Sequence, residues 1–157
     1  MRDAAFCDVT LRPHEGEALK AHRCILATWS PVFAKMFSSG LQEEKKSSVH
    51  IQDTDGPTLE KLISFMYSGE LPLETATMQE VKLLVAADKY QVLELKEHLC
   101  LSLCKFLSDD IVFEAFKVAD MHDAPSVRQA CADYILKKMD RKASSPIIME
   151  MLLGEDP

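Results

Sequence analysis

The stretch that decides the fold is residues 6–27, FCDVTLRPHEGEALKAHRCILA. Apolar and polar side chains alternate over residues 7–12, which is the period-2 pattern of a strand with one buried face. Residues 14–17 supply a turn, and residues 18–21 are predicted to return as the second strand of a hairpin. The apolar residues 24–27 indicate the start of a helix. The stretch therefore predicts a hairpin that leads into helical structure.

The segments that follow predict another helix, one more strand and a longer helix. Ser30-Pro31 combines a preferred N-cap residue with proline at the first helical position. Val49 and Ile51 alternate with polar residues, which predicts a short strand, and Asp55-Gly56-Pro57 is expected to break the chain after it. An amphipathic stripe then predicts a helix that ends at Gly69. The stripe consists of Leu59, Leu62, Ile63, Met66 and Tyr67.

The rest of the chain is predicted to be helical. Apolar faces indicate helices over about residues 78–90 and 92–103. Ser108 is predicted to cap the next helix, with acidic residues in its first turn where the helix dipole favours them. A further helix is predicted from Pro125, and the apolar residues 147–153 indicate the start of one more.

The composition excludes several classes of protein. The chain has 157 residues, 47% of them hydrophobic, which fits one compact domain with a small appendage. With 18 basic and 25 acidic residues the formal net charge is -7, so we expect neither nucleic acid nor a membrane as a partner. The five cysteines form no CxxC pair, which favours a reducing compartment. No stretch approaches the roughly 20 apolar residues that cross a bilayer, and we expect an intracellular protein of the nucleus, the cytoplasm or both.

Four separated motifs resemble the BTB/POZ family. In chain order they are FCDVTL at residues 6–11, the run over residues 19–33, FMYSG at residues 65–69 and AADKY at residues 86–90. The resemblance covers about residues 6–106 and implies an α+β fold, with a small mixed β-sheet flanked by a helical cluster.

The residues after this region resemble a second known unit. Residues 108–140 are similar to the helical pair that follows the BTB domain in speckle-type POZ and kelch-like adaptors, called the 3-box or the start of a BACK domain. We therefore expect a BTB/POZ domain at residues 1–106. We expect a C-terminal helical 3-box, or the N-terminal part of a BACK domain, at residues 107–157.

The resemblance implies an adaptor that homodimerises and binds the N-terminal domain of cullin-3 in a ubiquitin ligase. In related adaptors an apolar residue, any residue and then glutamate contact the cullin in the loop after the second helix. Leu41, Gln42 and Glu43 stand at that position, where the leucine would fill a groove and the glutamate would set the orientation. The alternative is a solvated loop in which Leu41 packs locally against a helix end.

The resemblance also implies a dimer interface. In family dimers an aspartate of the first strand and a basic residue after the first histidine meet in a charged pocket, which corresponds to Asp8 and Arg23. The alternative for this pair is a salt bridge within one chain. Ile25 is a second candidate for the interface, although an ordinary core isoleucine is the competing interpretation. Phe6, at the start of the first strand, completes the predicted interface.

Other functions receive less support. No G-x-S-x-G, P-loop, H-E-x-x-H or dinucleotide motif occurs, so we expect no enzyme and no cofactor. His98, Cys100 and Cys104 are the best candidate metal ligands, but cysteines on an apolar helix are more often small core residues.

The runner-up function is the BTB dimerisation module of a transcriptional repressor that recruits corepressor peptides, and a third is a structural scaffold. For the adaptor, the domain that chooses the substrate is expected to be absent from this chain.

Overall fold

A computed structural model describes residues 6–38, 47–72 and 75–143. Three short strands come first, interleaved with two helices, and five further helices follow. In chain order the elements are β1 (Val9–Pro13), β2 (Leu19–Ala21), α1 (Arg23–Trp29), α2 (Pro31–Ser38), β3 (Ser48–Ile51), α3 (Gly56–Ser68), α4 (Met78–Lys89), α5 (Leu93–Lys105), α6 (Val112–Met121) and α7 (Pro125–Ala143). The fold is α+β, as the sequence predicted.

The three strands form one mixed sheet in the order β2-β1-β3. The hairpin pairing is antiparallel, with Val9 opposite Ala21. β3 lies on the other side of β1 and runs parallel to it, with Leu11 opposite Val49. Because parallel neighbours need a crossover connection, the chain passes through α1 and α2 before β3 can pair. The expected small mixed sheet is therefore confirmed.

The helix boundaries agree with the sequence where capping residues were recognised. The Oγ of Ser30 accepts the N–H of Phe33 at 3.1 Å, and α2 begins at Pro31. Gly69 ends α3 with φ 68°, in the left-handed region that glycine adopts without strain. α7 begins at Pro125, as predicted.

Two local predictions need correction. We expected residues 55–57 to break the chain, but Asp55 is the N-cap of α3, its side chain accepting the N–H of Thr58, and the helix begins at Gly56. Proline is compatible with this first turn because its missing N–H has no helical partner there. We also expected a helix cap at Ser108, but α6 begins at Val112. The backbone carbonyl of Ser108 accepts hydrogen bonds from the N–H groups of Ile111 and Val112. These two hydrogen bonds close a turn before the helix.

A continuous hydrophobic core joins the sheet, α1 to α5 and the last two helices. Phe33 and Tyr90 stack in it with ring centroids 4.8 Å apart, and the edge of Trp29 lies against Phe65. These aromatic residues therefore pack within the fold. The buried residues that α6, α7 and their flanks add to this core are Ile111, Val112, Ala115, Ala119, Ala124, Val127 and Cys131.

Two predicted features lie outside the described residues. They are the loop with Leu41, Gln42 and Glu43, and the helix start over residues 147–153. Among the helices that the structure describes, none combines the length and the apolar character needed to span a bilayer.

Candidate protein-interaction surfaces

The first candidate surface surrounds the junction between β1 and α1. The Oδ1 of Asp8 accepts the backbone N–H of Arg23 at 2.8 Å. Because the first N–H groups of a helix have no partner within the helix, this carboxylate acts as a cap supplied from a distant part of the chain. The contact ties the start of α1 to the residue that precedes β1. The donor in this contact is the main chain of Arg23, and the charged pocket and the salt bridge considered for this pair stay predictions.

The other predicted interface residues differ in exposure. The guanidinium of Arg23 lies over the ring of Phe37, with 5.3 Å between its Cζ and the ring centroid. Ile25 is half-buried and packs against the core. The side chain of Phe6 is 93% exposed, and its backbone has a positive φ of 68°. Phe6 is thus a large apolar side chain that the described part of its own chain leaves uncovered.

His22, beside this surface, has a side-chain partner. Its Nδ1 lies 2.6 Å from the hydroxyl oxygen of Tyr67, which also accepts the backbone N–H of His22 at 2.9 Å. The side-chain partner of this histidine is therefore a tyrosine of α3. Burial raises the pKa of Tyr67, and the hydrogen bond from the His22 main chain opposes that effect. The pair links the end of the sheet to α3.

The predicted cullin-contact residues Leu41, Gln42 and Glu43 lie outside the described residues. The segment that carries them connects α2 to β3, so its two ends are well defined. At the α2 end, Met36 and Phe37 are half-buried and pack against the core. The structure thus describes the residues on both sides of this segment. The role of Leu41, Gln42 and Glu43 stays a prediction.

A charged cluster, hereafter the clamp, connects the BTB helices to α6. It consists of Asp88 in α4, Lys96 in α5 and His122 at the end of α6. The Nζ of Lys96 lies 2.6 Å from the Oδ1 of Asp88, and the Nδ1 of His122 lies 2.9 Å from its Oδ2. Lys96 also donates to the backbone carbonyl of His122 at 2.7 Å. Three elements of the fold therefore meet at one carboxylate.

The electrostatics of the clamp follow from its partial burial. The exposed fractions of the side chains are 32% for Asp88, 17% for Lys96 and 22% for His122. Desolvation raises the pKa of Asp88, but the hydrogen bonds from Lys96 and His122 outweigh it and the pKa is lowered. The carboxylate is therefore ionised at neutral pH and holds both partners. No local sequence pattern predicts this cluster, because Asp88 and His122 are 34 positions apart.

The second candidate surface is the outer side of α6. Phe113 is 67% exposed, Phe116 37% and Met121 79%. On the opposite side of the same helix Ala115 and Ala119 are buried in the core, so α6 carries apolar side chains on both sides. Aromatic and methionine side chains are enriched in the contact sites of other proteins. This outer side, defined by Phe113, Phe116 and Met121, is called the α6 face below.

The candidate metal ligands do not converge. The ring of His98 meets Phe65 edge-on at 5.9 Å, whereas Cys100 and Cys104 are half-buried against the core. Burial raises the pKa of each of these thiols, and it raises that of the buried Cys131 to about 11. Over residues 6–38, 47–72 and 75–143, no three His, Cys, Asp or Glu side chains come together as a metal site would require. The cysteines have the burial of ordinary core residues.

An open cleft lies between the end of β3 and α4, and its two lysines are paired with aspartates. Lys82 contacts Asp55 at 2.9 Å, and Lys89 pairs with Asp53. The carboxylate of Asp55 also caps α3, and these hydrogen bonds lower its pKa to about 2. The two ion pairs therefore connect the β3–α3 connection to α4.

Comparison with known proteins identifies the family of this chain. The BTB/POZ domain profile matches residues 1–107. A BTB/POZ domain-containing protein of Arabidopsis thaliana is 30% identical over 137 residues, which are 87% of this chain and 41% of that protein. The chain thus spans less than half the length of this relative.

Solved structures agree on the fold. The BTB domain of zebrafish PATZ1 has a TM-score of 0.55 at 22% identity, covering 64% of this chain and 77% of its own. The BTB domain of human gigaxonin has a TM-score of 0.53 at 21% identity, covering 61% and 76%. The profile match extends over more than half of the residues and the mixed sheet with its helices is that of these domains. The chain belongs to the BTB/POZ family, whose domain is a protein-protein interaction module that commonly dimerises and is typically non-catalytic.

Proposed function

We propose that this chain is the homodimerising, cullin-binding part of a substrate adaptor in a cullin-3 ubiquitin ligase. In this proposal residues 1–106 form the BTB/POZ domain, and residues 107–157 form the 3-box or the start of a BACK domain. In the same proposal a separate domain chooses the substrate, and the protein acts in the nucleus, the cytoplasm or both. The observation that carries the proposal is the attachment of α6 and α7 to the BTB helices with the α6 face turned outward.

The attachment supports the proposal because the BTB helices share one core with α6 and α7. The buried groups of α6 and α7 continue the BTB core, and the clamp adds charge-assisted hydrogen bonds between Asp88, Lys96 and His122. A flexible appendage would have to be ordered when a partner binds, at a cost in conformational entropy. A preorganised helical pair avoids that cost.

The α6 face supplies the apolar part of the proposed cullin contact. Interfaces between proteins typically place aromatic and methionine side chains at their centre. Phe113, Phe116 and Met121 provide such groups, and Leu101, 71% exposed near the end of α5, adds another. In the proposal Leu41 inserts into a groove of the cullin, while Glu43 fixes the orientation and Gln42 lies between them.

The proposed dimer uses the surface around the β1–α1 junction. Phe6 is the exposed apolar group of this surface. Ile25, on α1, is half-buried. Asp8 and Arg23 stand next to them with ionisable side chains. A second copy would cover the ring of Phe6 and place these charges near the edge of the contact.

Calorimetric titration of the chain with the N-terminal domain of cullin-3 tests the adaptor proposal. We expect a Kd below about 1 µM, which corresponds to about 8 kcal/mol. Two variants, Leu41→Asp with Glu43→Lys and Phe113→Asp, are each expected to weaken binding by at least tenfold, about 1.4 kcal/mol. Met78→Asp is the matched control, since Met78 is 39% exposed at the start of α4, and it should bind as the parent chain does.

Two results would contradict the proposal. Absence of binding by the parent chain, with its fold verified by circular dichroism, would remove the adaptor role and favour the repressor or scaffold alternatives. Equal losses in the two variants and in Met78→Asp would mean that the expected contacts are not the ones used.

A further inference from the structure

The outer edge of β3 carries backbone groups that no other strand pairs with in the part of the chain that the structure describes. β3 is the last strand of the sheet in the order β2-β1-β3 and runs parallel to β1. The N–H of Thr10 donates to the carbonyl of Ser47 at 2.7 Å, so Ser47 points towards β1. Successive residues of a strand direct their N–H and C=O groups to alternate sides. Val49 therefore also points towards β1, whereas the backbone groups of Ser48 and His50 point away from it.

The sequence of this edge lacks the features by which proteins usually prevent strand pairing. Such features are proline, lysine, other charged side chains and β-bulges. Residues 48–52 read SVHIQ and contain none of these residue types, and β3 pairs with β1 along its whole length without a bulge. The side chains of Val49 and Ile51 are buried in the core and hold the strand in its register. The side chains of His50 and Gln52 are exposed.

The geometry of this edge fits a second copy of the same strand. When two identical strands pair antiparallel about a two-fold axis at His50, each His50 donates its N–H to the carbonyl of the other and accepts one in return. The same register places Ser48 opposite Gln52 of the second copy, so polar side chains that can hydrogen-bond lie together. No like charges meet along the edge, although the chain has a net charge of -7. The edge is therefore complementary to itself.

We propose that β3 pairs antiparallel with β3 of a second copy through His50. This gives the chain a surface for self-association that is separate from the β1–α1 junction, and two such surfaces would connect dimers into larger assemblies. Because β3 has only four residues, the contact is weak, and we expect a Kd of about 0.1–0.3 mM. The inference goes beyond the proposed adaptor function and does not depend on the cullin contact.

Amide hydrogen exchange measured by NMR spectroscopy tests the pairing at the residues concerned. The full chain is used with Phe6→Asp, because this change replaces the exposed ring of the other proposed surface. The amide of His50 is expected to exchange at least about twofold more slowly at about 1 mM chain than at about 20 µM, since only the paired strand protects it. The amide of Val49, which points towards β1, should be equally protected at both concentrations.

Two further changes in the same Phe6→Asp chain test the contact itself. His50→Lys places like charges opposite each other, and His50→Pro removes the outward N–H at a position where an edge strand tolerates proline. Sedimentation equilibrium should show a Kd at least about tenfold weaker for each variant. His14→Lys makes the same change at an exposed histidine outside the edge and should leave the Kd unchanged.

Three outcomes would overturn the inference. The first is an exchange rate of the His50 amide that is fast at both concentrations. The second is a His50 amide that is already protected at the lower concentration, which would mean that a segment of the same chain covers the edge. The third is association that persists in both His50 variants, which would mean that another surface joins the two copies.

Discussion

The Nδ1 of His122 lies 2.9 Å from the Oδ2 of Asp88, so the end of α6 is held directly by the last turn of α4. Lys96 reaches both residues at the same point, donating to the carboxylate of Asp88 and to the backbone carbonyl of His122. The contact connects the region covered by the BTB/POZ profile to the helical pair that follows it. The carboxylate of Asp88 therefore fixes the end of α6, in addition to the burial of Ala115 and Ala119.

The first prediction concerns this carboxylate. Asp88→Ala removes the acceptor that Lys96 and His122 share, and we expect the free energy of unfolding to fall by about 2–3 kcal/mol. Urea denaturation at neutral pH measures the loss, and hydrogen exchange should show faster opening of α6 than of α3. Asp120→Ala is the control, because it breaks only the exposed pair with Arg128 and should cost less than about 0.5 kcal/mol. Equal losses for the two variants would contradict a special role for Asp88.

The second prediction concerns the dependence of stability on pH. The folded pKa of Asp55 is about 2, below the value of about 3.9 expected in the unfolded chain. Its stabilising contribution is therefore fully present above pH 4 and is lost as the pH falls towards 2. We expect a loss of about 1–2 kcal/mol from this residue after solvent screening is considered.

The matched variant for this experiment is Asp55→Asn. Its side-chain oxygen can still cap Thr58, but it has no charge for Lys82 and does not titrate. Urea midpoints measured between about pH 5 and pH 2 should therefore fall less steeply for the variant than for the parent chain. Parallel curves would show that Asp55 makes no titrating contribution.

The third prediction separates the two roles of Asp8. Asp8→Ala removes the acceptor of the Arg23 N–H and should lower the free energy of unfolding by about 1 kcal/mol. Asp8→Asn keeps an oxygen at this position, so stability of the monomer should change by only a few tenths of a kcal/mol. If the carboxylate also serves the proposed dimer, sedimentation equilibrium should detect a weaker dimer for Asp8→Asn. An unchanged dimer constant would limit Asp8 to capping α1.

The fourth prediction concerns a buried hydroxyl. Ser30 is fully buried, donates to the carbonyl of Tyr90 at 2.5 Å and accepts the N–H of Phe33 at 3.1 Å. Ser30→Ala leaves both groups without this partner, and we expect a loss of about 1–3 kcal/mol in urea denaturation. Thr28→Ala is the control, because its hydroxyl bonds within one helix at an exposed position. A loss no larger than that of the control would show that solvent replaces the Ser30 contacts.

Local sequence patterns predicted most of the helices and strands. Strand alternation identified Val9 to Leu11 and Val49 to Ile51, and Ser30, Gly69 and Pro125 marked helix boundaries. These features depend on residues within a few positions of each other, and backbone geometry converts them directly into periodic structure. The errors occurred where two local interpretations compete. Asp55-Gly56-Pro57 has the composition of a turn, yet the same residues suit the first turn of a helix.

The sequence by itself therefore determined the order of strands and helices, the class of the fold and, through four separated motifs, the resemblance to the BTB/POZ family. Only the tertiary structure decided that β3 runs parallel to β1, that Asp88 holds His122, and that Asp8 caps a helix fifteen residues later. It also decided that Phe113 faces outward while Ala115 is buried. The physical reason is that these contacts join residues that only the packed core brings together, whereas hydrophobic periodicity and capping act over a single turn or strand.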